Sequence, residues 1–107
     1  MAEHAEHPAH AEHPAYPVGL RLAGRRVVVL GGGQVAQRRL PALIAAGADI
    51  ILVSPSATPS VEAMAEAGEI TWVKRRYEDG DLAEAWYALV ATTDPASNAA
   101  ASAEAER

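Results

Sequence analysis

Four short apolar runs punctuate the chain, at residues 26–30 (R-V-V-V-L), 49–53 (D-I-I-L-V), 69–74 (E-I-T-W-V-K) and 86–91 (W-Y-A-L-V-A). The first two are apolar at nearly every position, the signature of strands covered on both faces. In the third, Ile70, Trp72 and Lys74 share one face. Between the runs the apolar spacing changes to that of a helix. Residues 34–46 carry Val35, Leu40, Leu43 and Ile44 on or near one stripe, and Gly47 supplies the stop. Pro41 conflicts with that helix, because proline removes a backbone donor. The apolar spacing continues past it, so the helix is expected to bend there and not to end. Thr58 and Pro59 form a cap and a first helical residue for a second helix to about residue 67, with Val61, Met64 and Ala65 inward and Gly68 as stop.

Residues 78–85 contain a turn at Asp79-Gly80 and about one helical turn. Asp94, as cap, and Pro95 open a last helix. Upstream, Val18, Leu20 and Leu22 alternate in an extended or strand-like segment, and Gly24-Arg25 makes a turn into the first strand. The order β-α-β-α-β-(α)-β-α predicts an α/β fold, a Rossmann-like parallel sheet of about four strands with flanking helices. Such sheets bind ligands beyond the carboxyl ends of their strands.

Composition narrows this picture. The 107 residues contain no Phe, so the core rests on Val, Leu, Ile and Ala and is thin. With no Cys, a disulfide framework and a thiolate metal site are both excluded. Residues 1–15 repeat Ala-Glu-His and His-Pro and hold no large apolar residue after Met1, which predicts a disordered tail. His4, His7, His10 and His13, all four histidines, lie there. The expected reading is a solvated tail and not a metal site, and residues 16–107 keep no histidine for acid–base work. The net charge of −5 owes Glu3, Glu6 and Glu12 to the same tail, which has no Lys or Arg. Without a basic face, nucleic acid is not an expected partner. No run approaches the roughly 18 apolar residues of a membrane span, and the amino terminus does not read as a signal peptide. A cytoplasmic protein without membrane partners is expected.

The chemistry gathers at Gly31-Gly32-Gly33-Gln34-Val35-Ala36, which fits G-x-G-x-x-A between a strand and a helix. Gly31 permits the tight turn, Gly33 lets a pyrophosphate approach the backbone, and Ala36 lets the helix pack closely on the strand. The helix start offers unbonded N–H groups and a positive dipole end. The second strand ends in Val53-Ser54-Pro55-Ser56, where an acid would normally hold the ribose. Ser56 can donate to a ribose hydroxyl but cannot chelate both. No Arg stands nearby in the sequence to favour a 2′-phosphate, so NAD is the expected cofactor. Arg38, Arg39 and the run Lys74-Arg75-Arg76 read as solvated charges, and Met64, Trp72 and Trp86 as core.

These residues resemble a family. Tyr16-Pro17-Val18 with Leu20 and Leu22, residues 24–39 (G-R-R-V-V-V-L-G-G-G-Q-V-A-Q-R-R), 46–49 (A-G-A-D), 53–55 (V-S-P) and 91–98 (A-T-T-D-P-A-S-N) look like the amino-terminal module of siroheme synthase. That module is a precorrin-2 dehydrogenase and often a sirohydrochlorin ferrochelatase. The resemblance covers residues 16–107 and implies NAD-dependent oxidation of precorrin-2 to sirohydrochlorin, with a tetrapyrrole as substrate. It implies an NAD site at Gly31, Gly33, Gln34, Val35, Pro55 and Ser56, with Thr92 toward the nicotinamide. The family often carries an acid where Ser56 stands and another where Thr93 stands. Its catalytic aspartate, tetrapyrrole-binding part and dimerisation part would follow the last helix, beyond Arg107. No catalytic or metal-binding residue is therefore assigned, the chain alone is expected to be inactive, and a homodimer is expected only of the full-length family member. The competing expectation is a non-enzymatic nucleotide-sensing module on the same fold.

Overall fold

A strand of three valines and a leucine needs cover on both faces, and β1 (Arg26–Leu30) receives it. In the computed structural model, which describes residues 13–92 and 95–105, Val27 and Val29 point to one side and Val28 and Leu30 to the other. β2 (Asp49–Val53) repeats the division, with Ile50 and Leu52 opposite in sense to Ile51 and Val53. Helices α1 (Gln34–Ala45) and α2 (Pro59–Glu66) cover the first face, burying Ala36, Leu40 and Val61 with Leu22 and Ile70. The second face is covered by residues 77–85 and by α3 (Pro95–Ala105), whose Ala101 is fully buried against Val28, Leu30 and Val53. The small side chain of Ala101 lets this alanine-rich helix lie close to the sheet.

β3 (Thr71–Val73) and β4 (Tyr87–Val90) complete one parallel sheet in the order β3-β2-β1-β4. β1 has β2 on one side and β4 on the other, so the strand order reverses beside it. This is the Rossmann-like α/β arrangement expected.

The glycine and threonine signals act as read. Thr58 Oγ1 accepts from the Val61 N–H at 3.3 Å. Gly47 and Gly68 take φ of +79° and +80°, and the amides of Gly47 and Ala48 close on Ile44 and Leu43. That pairing satisfies carbonyls that the end of α1 would leave open. α1 runs through Pro41 without interruption. Pro41 is exposed while neighbouring Leu40 is fully buried, so packing on the opposite face offsets the lost hydrogen bond.

Elsewhere the expectations shift. Only Thr71–Val73 of the third apolar run pairs as strand. Residues 79–84 form successive turns, without the helical turn expected. The 16–22 segment is not a strand among the described residues: Leu22 is buried, but Tyr16, Val18 and Leu20 are exposed. Trp86 is not core. It stands 48% exposed with the Arg25 guanidinium 4.6 Å from its ring centre, because β4 is a sheet edge. Most of the histidine-bearing tail, and Asp94 as helix cap, lie outside the described residues.

Candidate functional site

β1 ends at the reversal of strand order, and the glycine turn begins there. Gly31 holds φ +101°, and its N–H bonds to the Val53 carbonyl at 3.0 Å. A Cβ on Gly31 would lie 2.7 Å from the backbone of Ala91 and Thr92, so the β1 and β4 ends can meet only around glycine. Gly32 is confined from the other side. A Cβ there would stand 2.5 Å from the Ser56 carbonyl oxygen, and the Gly32 carbonyl accepts from the Thr58 N–H at 2.9 Å. Gly33 differs from both, since a Cβ would meet nothing within 4 Å. Its open side is the room a ligand requires.

Gly33 also begins α1, with no side-chain hydrogen bond capping the helix and no acid in its first turn. α2, by contrast, is capped by Thr58. The amides at the start of α1 thus keep their donors and positive dipole potential for an anion. They open onto a cleft of about 620 Å³, within the range for small-molecule sites. Its wall includes Gly31, Gly33, Gln34, Val35, Pro55, Ser56 and Thr92, so all seven site residues read from the sequence are brought together. A concavity of about 550 Å³ near Trp86 and Glu104 is comparable in size. It lies toward the starting end of β4, away from the strand ends and the uncapped helix, and lacks the chemistry of a phosphate site.

Ser54 and Ser56 have different roles. Ser54 is buried, its hydroxyl donates to the Ser56 carbonyl at 2.6 Å, and its own carbonyl accepts from the Trp72 indole N–H at 2.8 Å. It braces the loop, whereas Ser56 is exposed in the cleft. On the β4 side, Asn98 Nδ2 donates to the Thr92 carbonyl at 3.2 Å and fixes that loop from α3.

The basic run after β3 is not a uniformly solvated patch. Lys74 lies over the Trp72 ring, its ammonium 5.3 Å from the centre. Arg75 forks onto Asp81 with bonds of 2.9 and 2.7 Å and donates to the Arg76 carbonyl at 2.9 Å. That guanidinium holds the Asp81 carboxyl below the ordinary carboxylate range. Arg76 belongs to the cleft wall, which corrects the expectation that no arginine stands near the end of β2. Tyr77 and Ser97 also line it. The Tyr77 hydroxyl, pushed above its ordinary range first by burial and then by its bond to Glu104, ties this wall to α3. Arg38 and Arg39 are exposed and outside the wall.

A Rossmann-like sheet, a glycine turn at the reversal of strand order and an uncapped helix opening on a cleft define a dinucleotide-binding domain. The chain belongs to the family described as "Putative NAD(P)-binding", which residues 18–107 match. It is 43% identical to precorrin-2 dehydrogenase of Bacillus subtilis over 77% of this chain and 51% of that protein. It is 42% identical to siroheme synthase of Xylella fastidiosa over 86% of this chain and 20% of that protein. Among solved structures it resembles SirC, a precorrin-2 dehydrogenase, with a TM-score of 0.77 and 33% identity, covering 79% of this chain and 43% of that one. The chain therefore spans about half or less of the length of these relatives. No helix among the described residues is long and apolar enough to cross a membrane.

Proposed function

We propose that this chain is the NAD-binding part of a cytoplasmic precorrin-2 dehydrogenase, acting on a tetrapyrrole. The observation that carries the reading is its likeness, over most of its length, to two proteins named for that reaction. The site fits the cofactor, because Gly33 is open where a pyrophosphate would approach and the helix start behind it is uncapped. Gly33, Gln34 and Val35 receive the pyrophosphate through backbone amides, and Gly31, whose own amide bonds to the Val53 carbonyl, shapes the turn beneath it. Pro55 and Ser56 bound the adenosine end, and Ser56 donates to a ribose hydroxyl. Thr92 borders the nicotinamide. Oxidation of precorrin-2 to sirohydrochlorin removes a hydride and a proton, and NAD⁺ held by these residues would supply the hydride acceptor. The contribution of these residues is orientation: they would hold a dinucleotide across the strand ends, and the cofactor would supply the hydride acceptor.

Titration with NAD⁺, read by amide NMR shifts, tests the cofactor site. Shifts at residues 31–36 and 53–57 are expected, and shifts elsewhere only would reject it. Anaerobic precorrin-2 and NAD⁺, mixed with protein from the complete reading frame, should yield NADH and sirohydrochlorin together. Binding without turnover would leave a nucleotide-sensing module.

A further inference from the structure

Pairing between β1 and β4 ends at Leu30 and Val90, and a bond from the Ala91 N–H to the Leu30 carbonyl, at 2.7 Å, carries the contact one residue further. The chain then enters the cleft wall at Thr92. There the Thr92 carbonyl accepts from Nδ2 of Asn98, on the first turn of α3. A side chain takes over where the sheet stops holding the backbone.

A carbonyl only accepts, so the donor end of the Asn98 amide must face Thr92. Its other end, Oδ1, is buried and accepts no hydrogen bond among the described residues. Turning the amide over would set two oxygens against each other. A buried acceptor left without a donor costs more than one ordinary hydrogen bond returns. On stability alone the position therefore favours an apolar side chain of the same shape. The amide answers to what Thr92 borders, which is the cleft.

The two sides of the glycine turn separate the effect. Thr92 follows β4 and Ser56 follows β2, on opposite sides of β1. A Cβ on Gly31 would lie 2.7 Å from the Ala91 carbonyl and the Thr92 nitrogen, whereas one on Gly32 would meet the Ser56 carbonyl. Displacing Thr92 alters the cleft at the β4 side and leaves the Ser56 side in place.

Resting on the dinucleotide reading above, we infer that Asn98 is a positioning residue for the nicotinamide half of the cofactor. It acts through Thr92: its amide fixes the Thr92 carbonyl, and with it the wall that borders the nicotinamide.

The test compares NAD⁺ with ADP-ribose, which keeps the adenosine and the pyrophosphate but lacks the nicotinamide. Both are titrated calorimetrically into the wild-type chain, Asn98→Leu and Asn98→Ala. The wild type should bind NAD⁺ more tightly than ADP-ribose. Asn98→Leu removes the orphaned oxygen at nearly constant shape, so it should melt at or above the wild-type temperature. It should nonetheless lose about fivefold to tenfold in affinity for NAD⁺ and less than about twofold for ADP-ribose. Asn98→Ala should show the same split between the ligands. Equal losses for both ligands, or a lowered melting temperature with NAD⁺ affinity unchanged, would make Asn98 a structural residue and overturn the inference. Equal wild-type affinity for the two ligands would overturn it too, while leaving the dinucleotide site intact. A wild-type chain that binds neither ligand would reject both this inference and the reading it rests on.

Discussion

A methyl group on Gly32 would drive into the Ser56 carbonyl and the Ala57 Cα, both backbone atoms that cannot swing aside. A side chain on Gly33 would meet only the cleft. Neighbouring glycines thus answer to different demands: Gly31 and Gly32 make the turn possible, and Gly33 leaves room for what binds there. Gly32→Ala should destabilise the chain by about 2–3 kcal/mol, the cost of overpacking against rigid neighbours. Gly33 sits at φ −91°, which any residue adopts. Gly33→Val should therefore melt within about 3 °C of wild type and lose NAD⁺ binding. Thermal unfolding and calorimetry on the pair check both halves, and a folded Gly33→Val variant with unchanged affinity would contradict the proposed site.

The element that sequence periodicity describes least well is the connection from β3 to β4. It has no regular helix among its described residues, and polar anchors hold it in place. Glu104 of α3 accepts from the Tyr77 hydroxyl and from the N–H groups of Gly80 and Leu82, at 3.0 and 3.2 Å for the amides. Glu104→Ala orphans these donors and should cost about 1–3 kcal/mol in denaturant unfolding. Between those two anchored amides, Asp81 is held by Arg75 and by the Glu78 N–H. Its carboxyl titrates below the ordinary range in the folded chain. The stability it contributes is complete above its unfolded value of about 3.9 and is lost as pH falls through the lower folded value. Asp81→Asn should remove part of the acid-induced loss below pH 4, so wild type and variant converge in stability on acidification. Parallel curves over that range would show that the pair has no energetic weight.

Over the whole molecule, packing is unevenly distributed. β1 and β2 are buried centrally, whereas Tyr87 and Val90 on β4 are exposed and Trp72 and Val73 on β3 only partly covered. The segment before Leu22 adds little: Tyr16 is 89% and Val18 72% exposed. We propose that residues 1–15 contribute nothing to the folded core. Deleting them should move the melting temperature by no more than about 2 °C, since surface changes without packing stay within about 0.5 kcal/mol. A larger fall would mean that the tail docks on the domain.

The chain's own pattern determined the alternation of strands and helices, the glycine turn, both Schellman-type stops and the Thr58 cap. Each is a local consequence of side-chain size, branching or backbone freedom within a few residues. The glycine at position 32 and the bracing role of Ser54 were not legible, because each depends on what the β2 loop brings against it. Trp86 read as core from its hydrophobicity, yet whether an aromatic is covered depends on strand order, and β4 falls at an edge. Arg76 is the clearest case. Its place in the wall of the same cleft as Ser56 depends on β3 pairing with β2 in the register Val53 to Val73. Sequence separation carries no information about such a neighbour. The local pattern fixed where a phosphate turn could form, and the pairing of distant strands decided which side chains line the cleft around it.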